Sequence, residues 1–317
     1  PPKPKESSAV FRTAFPVAPL FLAGLCVLAP GPGWPLWALE EGPTEDDPKA
    51  AQEKKPEEPA RAAEEPVSFD ELRAQFEKEK ALEGFERTGT IEKFARVPSK
   101  KAAEFLAKLY AEETNSGICV IVTHTLGRMG TEDSVKALIN SGIPYFLDPP
   151  HPANFTVEQV NGLKADMAIQ IDSVGVALSN RLEPKAEEWL VKNGLTPAVR
   201  KDPRATEIVL KAIARLRTPM RIPLLLGEVA KTTSPELQVT ILEGLRRQQG
   251  EGGDDRVANA AIHFVKSQNT EVLAAAYDLL AARPSPKHRS HFIAGLKHPY
   301  WEVRVICADA LQASENK

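Results

Sequence analysis

The chain has 317 residues, 42% of them hydrophobic, only 6% aromatic, and a formal net charge of −3. That length fits one or two domains or one elongated array, and the apolar share is enough for a sizeable core. The near-neutral charge gives no sign of a polyanion binder, and three cysteines (Cys26, Cys119, Cys307) without CxxC or Cys/His spacing exclude a disulfide framework.

Residues 1–39 carry Lys3, Lys5 and Arg12 ahead of the apolar run AFPVAPLFLAGLCVLA (14–29), followed by PGPGWPLWALEE. A basic start, a short apolar stretch and a plausible cleavage point after Ala38 form the layout of a secretory signal peptide. The run is short and interrupted by Pro16 and Pro19, which disfavours a membrane span. The expected location is therefore periplasmic or extracellular, with the cytoplasm as the alternative. A membrane link would come only through this segment left uncleaved. Residues 40–66 hold ten acidic and four basic residues among Pro and Ala, with no large apolar side chain. Such a stretch buries too little surface to offset its chain entropy, so a disordered spacer is expected there.

From residue 67 the apolar residues recur at helical spacing. DELRAQFEKEKALEGFER (70–87) reads as a charged amphipathic helix that caps or docks on the helical array. Residues 99–140 contain the stretch SGICVIVTHTL (116–126). The segment 141–155 is Pro-rich and expected to be loop. Residues 156–182 read as one long or kinked helix weakened at Gly162 and Gly175, and 183–194 as a short helix ending at Gly194. The region 141–200 is thus either a degenerate repeat or an insertion.

Beyond it four stretches align without gaps: TEIVLKAIARL (206–216), PELQVTILEGL (235–245), TEVLAAAYDLL (270–280) and WEVRVICADAL (301–311). The second position is Glu each time (Glu207, Glu236, Glu271, Glu302). The third is aliphatic, the seventh small or aliphatic, and the eleventh Leu. Positions 3, 7 and 11 share one helical stripe. A Glu in the first turn meets the positive end of the helix dipole, which explains the carboxylates without catalysis. SGICVIVTHTL fits the same register through Ile118, Val122 and Leu126. Between the copies lie second helices at 219–231, 254–267 and 285–298. Two helices per 29–35 residues in series predict an all-α solenoid of stacked antiparallel helix pairs over 67–317.

PYWEVRVICADAL (299–311), with its Val303-Arg304 pair and Ala308-x-x-Leu311 spacing, resembles the second helix of a HEAT repeat. The likeness covers 203–317, is weaker over 99–140 and absent from 1–66. The family's usual Asp before the Val-Arg pair is replaced by Trp301-Glu302, and the other copies carry Val209, Gln238 and Leu273 in place of the Arg. The resemblance implies a concave face, formed by the second helices, that binds a protein. Lys211, Arg215, Gln238, Arg246, Tyr277, Asp278, Trp301 and Arg304 are the candidate residues of that face.

Signals for chemistry are weak. His288, His291 and His298 are the best metal candidates, and solvent-facing or capping roles explain them as well. Cys119 and His124 stand at i, i+5, a poor spacing for a nucleophile pair. No phosphate-loop, dinucleotide, zincin or nucleophile-elbow motif occurs. Asn154-Phe155-Thr156 is a glycosylation sequon. Arg246-Arg247 and Arg215, Arg217 and Arg221 are short basic groups interleaved with acids, so no nucleic-acid partner is expected. The expected function is a non-enzymatic protein-interaction scaffold with no cofactor and no metal. The rivals are an accessory module resembling HEAT-type lyases and a nucleic-acid-binding HEAT-like protein.

Overall fold

A computed structural model describes residues 67–80, 87–113, 115–247 and 255–315. Every described residue belongs to one compact unit, Glu65–Lys317. The signal-like segment 1–39, Cys26 and the acidic spacer 40–66 lie outside the described residues.

The described residues are all-α, with no strand among them. Helix α1 (Phe69–Glu79) starts with a capping box, in which Ser68 accepts from the Glu71 amide and the Glu71 carboxylate accepts from Ser68. It buries Leu72 and Phe76 and sets Phe76 edge-on to Phe105 at 5.3 Å. Then follow α2 (Thr88–Lys93), a 3₁₀ turn (Phe94–Arg96) and α3 (Lys100–Glu112).

Asn115 caps α4 (Ser116–Met129). The helix stops at Gly130, whose φ of 62° is the left-handed conformation that an L side chain resists. A Cβ there would also stand 2.6 Å from the Arg181 carbonyl oxygen. Helix α5 (Glu132–Ala137) runs through a π-turn (Leu138–Gly142) into α6 (Ile143–Leu147).

The expected loop at 141–155 is therefore helical over its first seven residues. Pro144 sits in the first turn, where its missing N–H costs nothing, and Ile143, Tyr145 and Phe146 turn inward. The long or kinked helix expected at 156–182 is interrupted once, between α7 (Val157–Gln170) and α8 (Asp172–Leu178), at Ile171 rather than at either glycine. Gly175 is instead a contact point, since a Cβ there would meet Ile208 at 3.0 Å.

The chain continues through α9 (Pro184–Asn193), α10 (Pro197–Lys201), α11 (Pro203–Arg215), α12 (Arg221–Val229), α13 (Pro235–Arg246), α14 (Asp255–Phe264), α15 (Thr270–Ala281), a 3₁₀ turn (Pro286–His288), α16 (Arg289–Gly295) and α17 (Trp301–Glu315). The aligned stretches sit on α4, α11, α13, α15 and α17. Their third and seventh positions are buried throughout, from Ile208 at 7% exposure to Cys307 at 0%. The closing leucines Leu126, Leu216, Leu245 and Leu280 are buried too, while Leu311 is half-buried. Each such buried leucine contributes roughly 1.5–3 kcal/mol relative to exposure.

The recurrent Glu differs in one copy. Glu236, Glu271 and Glu302 occupy first turns. Helix α11 begins earlier, at Pro203 with Asp202 as its cap, so Glu207 lies beyond the first turn and pairs with Lys211 instead.

Packing follows chain order. Helix α2 packs on α4, α4 on α8, α8 on α11, α11 on α13, α13 on α15 and α15 on α17. Helices α12, α14 and α16 pack against α13, α15 and α17, while α3 contacts α5 and α5 contacts α9. Two glycines let this succession close up. A Cβ on Gly127 would stand 2.6 Å from the Ala177 Cα, and one on Gly244 would stand 2.6 Å from the Ala214 carbonyl oxygen.

Candidate interaction surface

The eight candidate face residues do not share one face. Lys211 and Arg215 come together, one turn apart on α11. Lys211 Nζ lies 2.8 Å from Glu207 Oε1 and 2.6 Å from Glu236 Oε1, bridging α11 to α13. Burial alone would lower the Lys211 ammonium, but the two carboxylates hold it above its ordinary value. Arg215 Nη1 donates to Ser179 Oγ on the far side, at 3.0 Å. Arg204 reaches Asp172 of α8 at 2.9 Å. Arg246 and Asp278 pair at 2.7 Å between α13 and α15. Four of these five contacts, all but Lys211–Glu207, run between elements and string polar side chains across α8, α11, α13 and α15.

Gln238 and Arg304 have another role. Both stand at the fourth position of their copies, and both reach back to the turn that precedes their own helix. Gln238 Nε2 donates to the Thr232 carbonyl at 2.8 Å. Arg304 Nη1 donates to the carbonyls of His298 and Pro299 at 2.9 and 2.7 Å. They latch a loop, which leaves their side chains committed within the chain.

Tyr277 corrects the expectation outright. It is 5% exposed and packs beside Gly295, where a Cβ would meet its ring at 3.0 Å. Position 8 of that copy faces the next helices rather than solvent. Trp301 is the opposite case, 63% exposed at the start of α17.

Two open recesses flank Arg215. One, about 800 Å³, runs from Ser179 through Glu187 to Leu216 and Arg217. The other, about 650 Å³, lies between Asp172, Val176 and Glu236. They share Ser179 and Arg215. Asp172 and Ser179 of this surface are hidden in the sequence, where α8 merges into a longer helical pattern, and Arg204 precedes the aligned stretch of α11. A signal is present all the same: DSVGVALSNRL (172–182) matches the eleven-residue register through Val174, Leu178 and Leu182, all of them buried.

The basic group of Arg215, Arg217 and Arg221 is not one surface either. Arg221 is fully buried at the start of α12. Its Nη2 donates to the Gly244 carbonyl at 2.8 Å, while Nε and Nη1 have no hydrogen-bond partner among the described residues. Burial pulls its guanidinium down to about 10.

Both cysteines among the described residues are buried. Cys119 is fully buried, and burial pushes its thiol up to about 12 despite a hydrogen bond with Tyr145. Burial likewise raises Cys307 to about 11. A thiolate is the nucleophile, so both thiols are held in the inert form. His288 is buried, its Nδ1 has no hydrogen-bond partner among the described residues, and burial followed by the neighbouring His291 lowers it from the ordinary histidine value. His298 instead stacks on Tyr300 at 5.4 Å. No three His, Cys, Asp or Glu among the described residues could share an ion. No helix among the described residues is long and apolar enough to cross a membrane.

The thiol geometry makes a direct prediction. With Cys26 replaced by Ser, the native protein gives no rapid reaction with a disulfide reagent at pH 8. It releases the signal of two thiols only in denaturant. Rapid native labelling of Cys119 or Cys307 would contradict the burial described.

No protein-family model matches the chain, and none of the curated proteins is significantly similar to it.

Proposed function

We propose that this chain is a non-enzymatic protein-interaction scaffold, built as a HEAT-like α-solenoid, that receives a peptide segment of its partner along α8 and α11. The solenoid reading is supported by the succession of α4, α8, α11, α13, α15 and α17, in which each helix packs on the next. The register that aligns these helices and the loop latches of Gln238 and Arg304 support it further. The observation that carries the functional reading is the pair of open recesses meeting at Arg215. They offer mixed charge, an exposed Val176 and a guanidinium whose one hydrogen bond among the described residues goes to a hydroxyl. An arginine in that state still has donors to give to a carboxylate. The N-terminal layout favours a setting outside the cytoplasm.

The test is crosslinking with mass spectrometry on the full chain, against envelope and cytosolic extracts separately. A single envelope protein crosslinked to Lys185 or Lys211 is expected, and Arg215→Glu should weaken its capture about tenfold, as for one lost charged hydrogen bond with added repulsion. Capture abolished by nuclease would sink the reading in favour of nucleic acid. Capture equally strong with Arg215→Glu would sink the assignment of the face.

A further inference from the structure

Eleven large apolar side chains stand exposed among the described residues, and five of them fall between 293 and 305: Ile293, Leu296, Tyr300, Trp301 and Val305. The concentration has a structural origin. Helix α17 buries Val303, Cys307 and Ala310 towards α15 and α16. On the opposite side, Trp301, Val305 and Ala308 follow one another at i, i+4 and i+7, so they share a stripe.

The aligned copies show what that stripe does elsewhere. At the position of Ala308, the inner copies hold Ile213, Leu242 and Tyr277, each no more than 5% exposed. At the position of Val305 they hold Leu210, Val239 and Ala274, buried or half-buried. Helices α11, α13 and α15 each have the next helix of the succession packed against them, and Tyr277 of α15 stands beside Gly295 and Cys307 of the helices that follow. In α17 the same positions are open, and Val305 is 48% exposed. Among the described residues, helix α17 therefore has no helix laid over this stripe. Its backing is tight, because Gly295 of α16 sits directly on Cys307 and on Tyr277 of α15.

We infer that this α16–α17 face is a self-association surface, closed by the same face of a second copy of the chain around a twofold axis. Three observations favour that occupant. The face continues the packing surface used between successive helices, so a helix of the same kind fits it. The other end of the described unit offers no apolar complement: α1 turns Asp70, Glu71, Arg73, Glu77 and Lys78 outward, and Val67 is the only large exposed apolar residue nearby among the described residues. Among the described residues head-to-tail stacking therefore finds no apolar partner surface, whereas an isologous contact pairs the patch with itself. Finally, residues 289–312 carry three basic and two acidic residues. Self-apposition meets little like-charge repulsion there, and a strongly charged partner has little to attract it.

The test is sedimentation velocity of the full 317-residue chain from low micromolar to ~100 µM, a range matched to the micromolar affinity of a modest interface. A reversible species of twice the 34.6 kDa chain mass is expected. Val305→Glu should weaken dimerisation at least about 100-fold, since a carboxylate would be buried without a partner. Because Val305 is half-exposed in the single chain, that variant keeps its Tm and helical circular dichroism. Met220→Glu, an exposed apolar site elsewhere, and Arg215→Glu leave the dimer intact, which separates this surface from the proposed peptide groove. A chain that stays monomeric throughout the range, or a Val305→Glu variant that still dimerises, overturns the inference.

Discussion

Gly127→Ala lowers stability by about 1–3 kcal/mol, although alanine is the better helix former. The added methyl has nowhere to go. It would stand 2.6 Å from both the Cα and the Cβ of Ala177 and 2.8 Å from that residue's carbonyl oxygen. Two of those atoms are backbone, so relief requires α4 and α8 to move apart. The helices that follow α8 then lose register with α4. Gly227→Ala gives the opposite sign. Gly227 lies within α12 with nothing within 4 Å of a built Cβ, so the gain in helix propensity, up to about 1 kcal/mol, is realised. Thermal unfolding of the two variants beside the parent protein checks the pair, at about 2–4 °C per kcal/mol for a unit of this size. Equal shifts of the same sign would show that the close approach of α4 to α8 is wrong.

Phe146→Ala is expected to cost about 3–5 kcal/mol, among the largest effects of a single truncation in this fold. Phe146 is fully buried on α6. Its ring lies edge-on to Tyr145 at 5.3 Å and to Tyr110 at 6.3 Å, and Tyr110 and Tyr145 are 5.5 Å apart. Removing it leaves a cavity beside two buried hydroxyls. Tyr110 is hydrogen-bonded to Thr123 at 2.7 Å, and Thr123 Oγ1 donates to the Cys119 carbonyl at 2.8 Å. A neighbour that shifts to fill the void pulls on this buried chain, so the site collapses poorly and the cost sits high in the range. Phe146→Leu keeps most of the volume and should cost about 1.5 kcal/mol or less. Urea unfolding followed by circular dichroism distinguishes the two. A loss below about 1 kcal/mol for Phe146→Ala, a value typical of exposed sites, would mean that α6 does not pack as described.

The helical stripe is legible in the sequence because it is a local property. Val303 and Cys307, or Leu237 and Ile241, repeat at the helical period whatever surrounds them, and a period survives without knowledge of the partner helix. Termini are legible for the same reason. Ser234, Asn269 and Asp202 each accept from an amide two or three residues ahead, an interaction that needs no tertiary contact. Helix α6 is hidden because Pro144 and the loop residues after it dominate the local signal. The inward turn of Ile143, Tyr145 and Phe146 depends on Tyr110, more than 30 positions earlier.

Surface assignments fare differently. A helical wheel places Tyr277 away from the leucine stripe, yet a helix inside the succession has neighbours on several sides. Position 8 is therefore buried in α11, α13 and α15 and open only in α17. Arg221 reads as part of a basic group until its neighbours are known, and then proves to be enclosed under the Gly244 carbonyl. The pairing of Lys211 with Glu236, or of Arg246 with Asp278, joins residues 25 and 32 positions apart, and nothing in either local stretch encodes it.

The amino-acid order alone thus decides where helices form and which stripe of each is apolar, since both depend on interactions within a few residues. Folding in three dimensions decides which helix becomes whose neighbour, and so which polar side chains are tied to each other and which remain available. For this chain that second step makes the groove at Arg215 and the open face of α17 its two proposed surfaces for partners, because availability is a property of the packing rather than of any residue.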